Sequence, residues 1–228
     1  MLEDIAAKYS NVEYQDDFEL FEKMAEEWPA HKVDRNISGP YGNLPVLHWN
    51  DTHIIAQTLP IAQFIAHKFD LYGKPKPINE DPMIFQALID GVVSCVYTDI
   101  VLNIAMVLYN EVNFDDPNDP YARLVKKIVD DFKVLNSLLT NSSTSFFYDQ
   151  DEPTIADYFV FYAFTLAKDF YFALLPADED TQALSKLEQI MRGRPALAKY
   201  FNEGRLYNRI SGSPTEEQYR AKLAAKKN

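Results

Sequence analysis

Residues Tyr41–Lys74 read YGNLPVLHWNDTHIIAQTLPIAQFIAHKFDLYGK. The order this predicts is loop, strand, turn, strand, helix. Pro45 opens the first strand, and Val46 and Leu47 are its apolar residues. Asn50-Asp51 is a two-residue turn pair of the kind that tolerates positive φ. His53-Ile54-Ile55 forms the return strand. Gln57-Thr58 then begins a helix, in which Leu59, Ile61, Phe64, Ile65 and Phe69 recur at near-helical spacing.

The chemistry of this stretch sits at two points. Proline has no N–H to give to a ladder, so Pro45 belongs at a strand start, and a proline there is a candidate for a cis bond. Leu44, just before it, then keeps its backbone N–H and C=O available to an extended peptide-like ligand, as one strand adds to another. Gln57 and Thr58 bring an amide, a hydroxyl and the free N–H groups of a helix start, which together suit a carboxylate.

The pattern Gly42-x-Leu44-Pro45-Val46-Leu47, followed by Ala56-Gln57-Thr58-x-x-Ile61-x-x-Phe64-Ile65-Ala66, resembles the glutathione-binding half of the cytosolic glutathione transferases. Phe69–Lys74 and Glu27-Trp28-Pro29-Ala30-His31-Lys32 extend the likeness, the latter toward the sigma-like invertebrate members. The resemblance implies an α+β two-domain chain. A thioredoxin-like glutathione-binding domain spans about 1–74, and an all-helical domain spans about 83–228. The proline-containing segment Pro75–Pro82 is the expected boundary.

The remainder of the chain fits a mainly helical protein. It has 228 residues, 47% of them hydrophobic, enough for a sizeable core, and only 7 glycines. Leu2–Lys8 is expected to be helical, Asn11–Asp16 alternates like a strand, and Asp17–Glu27 reads as a charged amphipathic helix that Trp28-Pro29 ends or bends. Val33–Pro40 reads as an irregular loop. Met83–Asn110 is one long helical run, and Tyr121–Leu139 is amphipathic. Thr154-x-x-Asp157 is a capping box before the most hydrophobic helix, which is expected to run to about Leu175 and to lie at the centre. Further helices are expected over Thr181–Met191, after Arg194-Pro195, and over Pro214–Lys226.

Charge and cysteine content narrow the function classes. A net charge of −12 opposes nucleic-acid binding, which needs clustered Lys and Arg to neutralise phosphates. The single cysteine, Cys95, excludes an intramolecular disulfide and suits a reducing compartment. No signal-peptide pattern and no uninterrupted apolar run of about 18 residues is seen, so the expectation is a cytoplasmic protein without a membrane partner. His31, His48, His53 and His67 lack metal-ligand spacing, so no metal is expected.

The resemblance also assigns residues. Glutathione, as co-substrate, would touch Trp28 and Lys32, run along the loop Asn43-Leu44-Pro45, and place its γ-glutamyl end on Gln57 and Thr58. A pocket for a small hydrophobic electrophile would involve Tyr97, Val101 and Met106. A homodimer is implied, and Asp90 is the candidate acid to reach the partner's glutathione. One part of the pattern is missing. Asn11–Asp16 resembles the family's second strand, so the first strand and the Tyr, Ser or Cys that follows it are not in this sequence. That leaves a truncated chain, a strand supplied by a partner, or a real loss of the chemistry. The function expected is glutathione conjugation in the complete form. The alternatives are a non-catalytic glutathione-binding or scaffold protein and a glutathione-dependent isomerase.

Overall fold

The computed structural model describes residues 1–16, 21–50, 52–76, 81–110, 112–170 and 175–203. The expected C-terminal helix Pro214–Lys226 lies outside them, as do parts of the expected boundary segment and of the expected helix Asp17–Glu27. In order, the elements are α1 (Leu2–Lys8), α2 (Phe21–Val33), α3 (Arg35–Ser38), β1 (Val46–Trp49), β2 (His53–Ala56) and α4 (Thr58–Lys68). Then come α5 (Pro82–Ser94), a π-helical segment (Cys95–Val101) that runs on into α6 (Leu102–Tyr109), α7 (Pro120–Thr140), α8 (Ile155–Phe170), α9 (Gln182–Gly193) and α10 (Pro195–Asn202). This is a thioredoxin-like α+β unit followed by a helical domain.

β1 and β2 form an antiparallel hairpin with Val46 opposite Ala56 and Trp49 opposite His53. The connection therefore comprises residues 50–52 rather than Asn50-Asp51 alone, and the Thr52 N–H donates to the Trp49 carbonyl at 3.2 Å. Trp49 packs edge-on to Phe64 of α4, with centroids 4.9 Å apart. Ile5 of α1 joins Ile65 and Phe69 in a small core on this side.

Three expectations fail here for physical reasons. Asn11–Asp16 is not a strand, because among the described residues β1 and β2 pair only with each other and no ladder partner lies beside it. Trp28-Pro29 does not end α2, since Pro29 sits inside the helix. Val33–Pro40 is not wholly irregular, because the Asp34 carboxylate caps α3 by accepting from the Asn36 N–H at 2.9 Å.

The main core is built around α8. Ile155, Ala156, Val160, Ala163 and Ala167 are fully buried there against Ile89, Val96 and Ile100 from the α5–α6 run and Phe132 from α7. That run, Pro82–Tyr109, is long and apolar enough by composition to cross a membrane, contrary to the expectation. Its inner face is core, and its outer face exposes Ile84, Leu88, Leu102 and Met106.

One buried carboxylate sets the start of α8. Asp157 is fully buried and accepts from the Thr154 N–H at 2.7 Å, the Thr154 hydroxyl at 2.8 Å and the Phe147 N–H at 3.1 Å. Two further links then tie the thioredoxin-like unit to this loop. The Ile155 N–H donates to the Leu71 carbonyl at 2.8 Å. The Gln150 side chain accepts from the Lys74 N–H and donates to the Lys74 carbonyl, both at 2.8 Å, imitating a strand partner. Gly73 stands beside it at φ 78, where a Cβ would collide with the Gln150 amide.

Burial pushes the Asp157 carboxyl up to about 7, against the hydrogen bonds that hold it down. A raised folded-state value keeps the proton on the native chain after the unfolded chain has lost it. The stabilisation is therefore complete below about pH 4 and is lost as pH rises toward 7. The stability of the wild type relative to Asp157→Asn is expected to fall over that window and to level off above it, in urea melts at a series of pH values. A flat difference from pH 4 to 8 would show that the carboxyl stays ionised throughout.

Candidate functional site

The loop 38–45 is positioned from below. The Ser38 hydroxyl donates to the Lys32 carbonyl at 2.8 Å and to the Asp34 carbonyl at 3.1 Å, locking the end of α2 to α3. The Asn43 N–H donates back to the Ser38 carbonyl at 2.9 Å. Gly39 lies flat on the hairpin, where a Cβ would sit 3.1 Å from Val46 and 3.3 Å from Ala56. The chain thus enters β1 at a fixed angle through a cis Leu44-Pro45 bond. Among the described residues, the Leu44 N–H and C=O have no protein partner.

The next turn is tied to the same point. The Gln57 N–H donates to the Pro45 carbonyl at 3.2 Å. Gln57 holds φ 79 and ψ 138, a conformation that an L side chain adopts only under strain of about 1–3 kcal/mol. The strained turn leaves Gln57 exposed and sets Thr58 as the first residue of α4. The residues expected at Asn43, Leu44, Pro45, Gln57 and Thr58 therefore lie on two adjoining loops. Trp28 and Lys32 lie in α2 itself, not in a loop after it, and Lys32 joins the others through its carbonyl bond to Ser38.

Beside this turn is a cavity of about 570 Å³ between the two units. Pro45, Thr58 and Ile61 wall it on one side, and Tyr97 and Val101 of the π-helical segment on another. Tyr158, Phe159 and Tyr162 of α8 and Tyr200 and Phe201 of α10 close the rest, with Leu2 and Glu3 of α1 and Tyr14 at the edge. Met106 does not line it and is half exposed on α6. Nine residues past Tyr97, at about 100° per residue, it falls on the opposite face of the helix.

The aromatic walls of α8 and α10 were missed in sequence, where their density reads as core. The signal was Tyr162, which follows Tyr158 by one helical turn and is 47% exposed. The Tyr158 phenol donates to Asp4 at 2.5 Å, and Arg194 donates to the same carboxylate at 2.6 Å, which fixes α1 against α8 and α10. Burial, with Asp4 adding to it, pushes the Tyr158 phenol up, and burial alone pushes up Tyr162.

Two other expected groups are accounted for within the chain. Asp90 accepts from Tyr72 at 2.8 Å and from Gln63 at 3.1 Å, joining α4, the turn after it and α5. Cys95 is half buried, and burial, then Asp131 and Asp99, push its thiol up, away from the reactive thiolate. Among the described residues no three His, Cys, Asp or Glu side chains come together as a metal site.

Residues 118–203 match the family model of the glutathione S-transferase C-terminal domain. Solved structures of the same fold include a monomeric glutathione S-transferase of the hookworm Necator americanus, 23% identical, covering 92% of each chain at a TM-score of 0.63. The glutathione S-transferase of Ascaris lumbricoides is 18% identical over 91% of this chain and 93% of its own, also at 0.63. The Pi-class enzyme of Onchocerca volvulus is 19% identical over 90% and 89%, again at 0.63. No curated protein matches the chain by sequence. The chain therefore has the glutathione transferase fold, and its helical domain carries that family's C-terminal pattern.

The strain at Gln57 yields a direct test. Gln57→Gly removes the clash at positive φ and is expected to stabilise the fold by about 1 kcal/mol in urea melts. The same substitution is expected to weaken any ligand held by the Gln57 amide, as read by titration.

Proposed function

We propose that this chain is a sigma-like, glutathione transferase-like protein that binds reduced glutathione at Leu44, Gln57 and Thr58. The observation that carries this reading is the pairing of an unpartnered Leu44 backbone with a strained Gln57-Thr58 helix start, at the wall of an apolar cavity. Glutathione is a peptide with two carboxylates, one amine and a thiol. Its cysteinyl main chain adds to Leu44 as a short strand. Its γ-glutamyl carboxylate meets the Thr58 hydroxyl and the N–H groups at the start of α4. Trp28, Lys32 and Asn43 border the same loops. A small hydrophobic electrophile occupies the cavity along Tyr97 and Val101, as detoxification chemistry requires.

Conjugation needs the thiol to lose its proton so that the sulfur can form a bond to an electrophilic carbon. In the resembling enzymes a hydroxyl or thiol after the first strand favours the thiolate. This sequence has no residue in that place, so its own conjugation is expected to be weak or missing. That observation favours the second reading, a non-catalytic glutathione binder or scaffold. A glutathione-dependent isomerase would use the same site. We assign the binding domain to 1–74 and the helical domain to 83–228, in a cytoplasmic protein. The exposed apolar line Ile84, Leu88, Leu102 and Met106 supports contact between two copies. The charge of −12 supports partners other than nucleic acid.

Calorimetric titration of the 228-residue chain with reduced glutathione tests the site. Saturable binding that Gln57→Ala abolishes is expected, and a conjugation assay on the same sample separates enzyme from binder. A folded protein that takes up no glutathione would overturn the assignment.

A further inference from the structure

The cavity wall contains one polar contact between the two units that the proposed site does not yet use. The Tyr97 hydroxyl donates to the Thr58 hydroxyl oxygen at 3.2 Å, and both residues line the cavity. Tyr97 lies in the π-helical segment, where the Leu102 N–H donates to the Tyr97 carbonyl five residues back. A π turn holds one more residue than an α turn and shifts the faces that follow it. Two side chains brace the widened turn. The Thr98 hydroxyl donates to the Ser94 carbonyl at 2.8 Å, and the Asn103 amide donates to the Asp99 carbonyl at 2.7 Å.

We propose that Tyr97 is a positioning residue that aims the Thr58 proton at the γ-glutamyl carboxylate of glutathione. The proposal rests on the glutathione reading of the site and deepens it. A hydroxyl has one proton and two lone pairs, and a carboxylate only accepts. When Tyr97 donates to one lone pair of Thr58, the Thr58 proton is left to turn toward the ligand. The chain then runs from the Tyr97 O–H to the Thr58 O–H to the carboxylate, each bond polarising the next toward the anion. Without the phenol, Thr58 is a free rotor and its proton has no preferred direction. Because Tyr97 belongs to the helical domain and Thr58 to the thioredoxin-like unit, the contact also makes glutathione affinity depend on how the two units sit together.

The test is a double-mutant cycle read by calorimetric titration with reduced glutathione. Tyr97→Phe keeps the ring and is expected to weaken binding about fivefold, with the melting temperature unchanged. The Tyr97→Phe and Thr58→Ala losses are expected not to add, while Thr58→Ser keeps the full Tyr97 effect. A second probe, 4-aminobutanoyl-cysteinyl-glycine, lacks the α-carboxylate and is expected to bind wild type and Tyr97→Phe equally. If glutathione binds and Gln57→Ala abolishes it, but Tyr97→Phe changes nothing or adds fully to Thr58→Ala, the positioning role is wrong and the site stands. If wild type takes up no glutathione, both the site and the positioning role fall.

Discussion

The buried carboxylate of Asp157 is the constraint from which the other contacts between the units follow. A carboxylate out of water is stable only when its oxygens are supplied with donors, and here three converge on it. Two belong to Thr154, at the start of α8, and one to Phe147, in the preceding loop. Meeting them fixes the loop 146–154 against α8. That loop carries Gln150, whose amide takes both backbone groups of Lys74, and its end presents the Ile155 N–H to Leu71. The thioredoxin-like unit is thus docked by backbone hydrogen bonds, whose geometry is directional, and not only by apolar contact.

The cavity is a by-product of that docking. Its floor and walls come from α4, the π-helical segment, α8 and α10, none of which alone makes a pocket. The Asp4–Arg194–Tyr158 cluster adds a second tie at the far edge, where one carboxylate serves a phenol and a guanidinium. Apolar walls with a few polar groups at one end are the ordinary form of a small-molecule site. The polar end here is the Pro45–Thr58 corner, where the backbone is least relaxed.

The hairpin and its helix were legible in sequence because proline, the Asn50 turn and apolar spacing are local signals. The capping box at Thr154 was legible for the same reason, and the helical domain because its apolar periodicity is long. The strand expected at Asn11–Asp16 was not a local matter. Alternation makes a strand possible, but only a neighbouring ladder makes it real. Pro29 was misjudged because a proline removes one hydrogen bond, and a helix that continues on both sides can tolerate that loss. Tyr97 and Val101 reached the cavity as expected from helical spacing, and Met106 did not, because spacing was extended past the face that the first two define. Neither the π-helical segment nor the positive φ at Gln57 has a sequence signature, since both arise from how separate elements close on one another.

The π-helical segment makes the long helix of the second domain intolerant of length changes in a way its composition does not show. Deleting one residue within Cys95–Val101 would let the chain relax to a plain α-helix and rotate everything after it by about 100°. Ile104, Val107 and Leu108 would then leave the interior, and polar residues would enter in their place. In a protein of this fold, insertions and deletions in this helix would be purged even where substitutions are accepted. The turn 113–119, rich in Asp and Asn and exposed along most of its length, is where the chain can change length without moving the site.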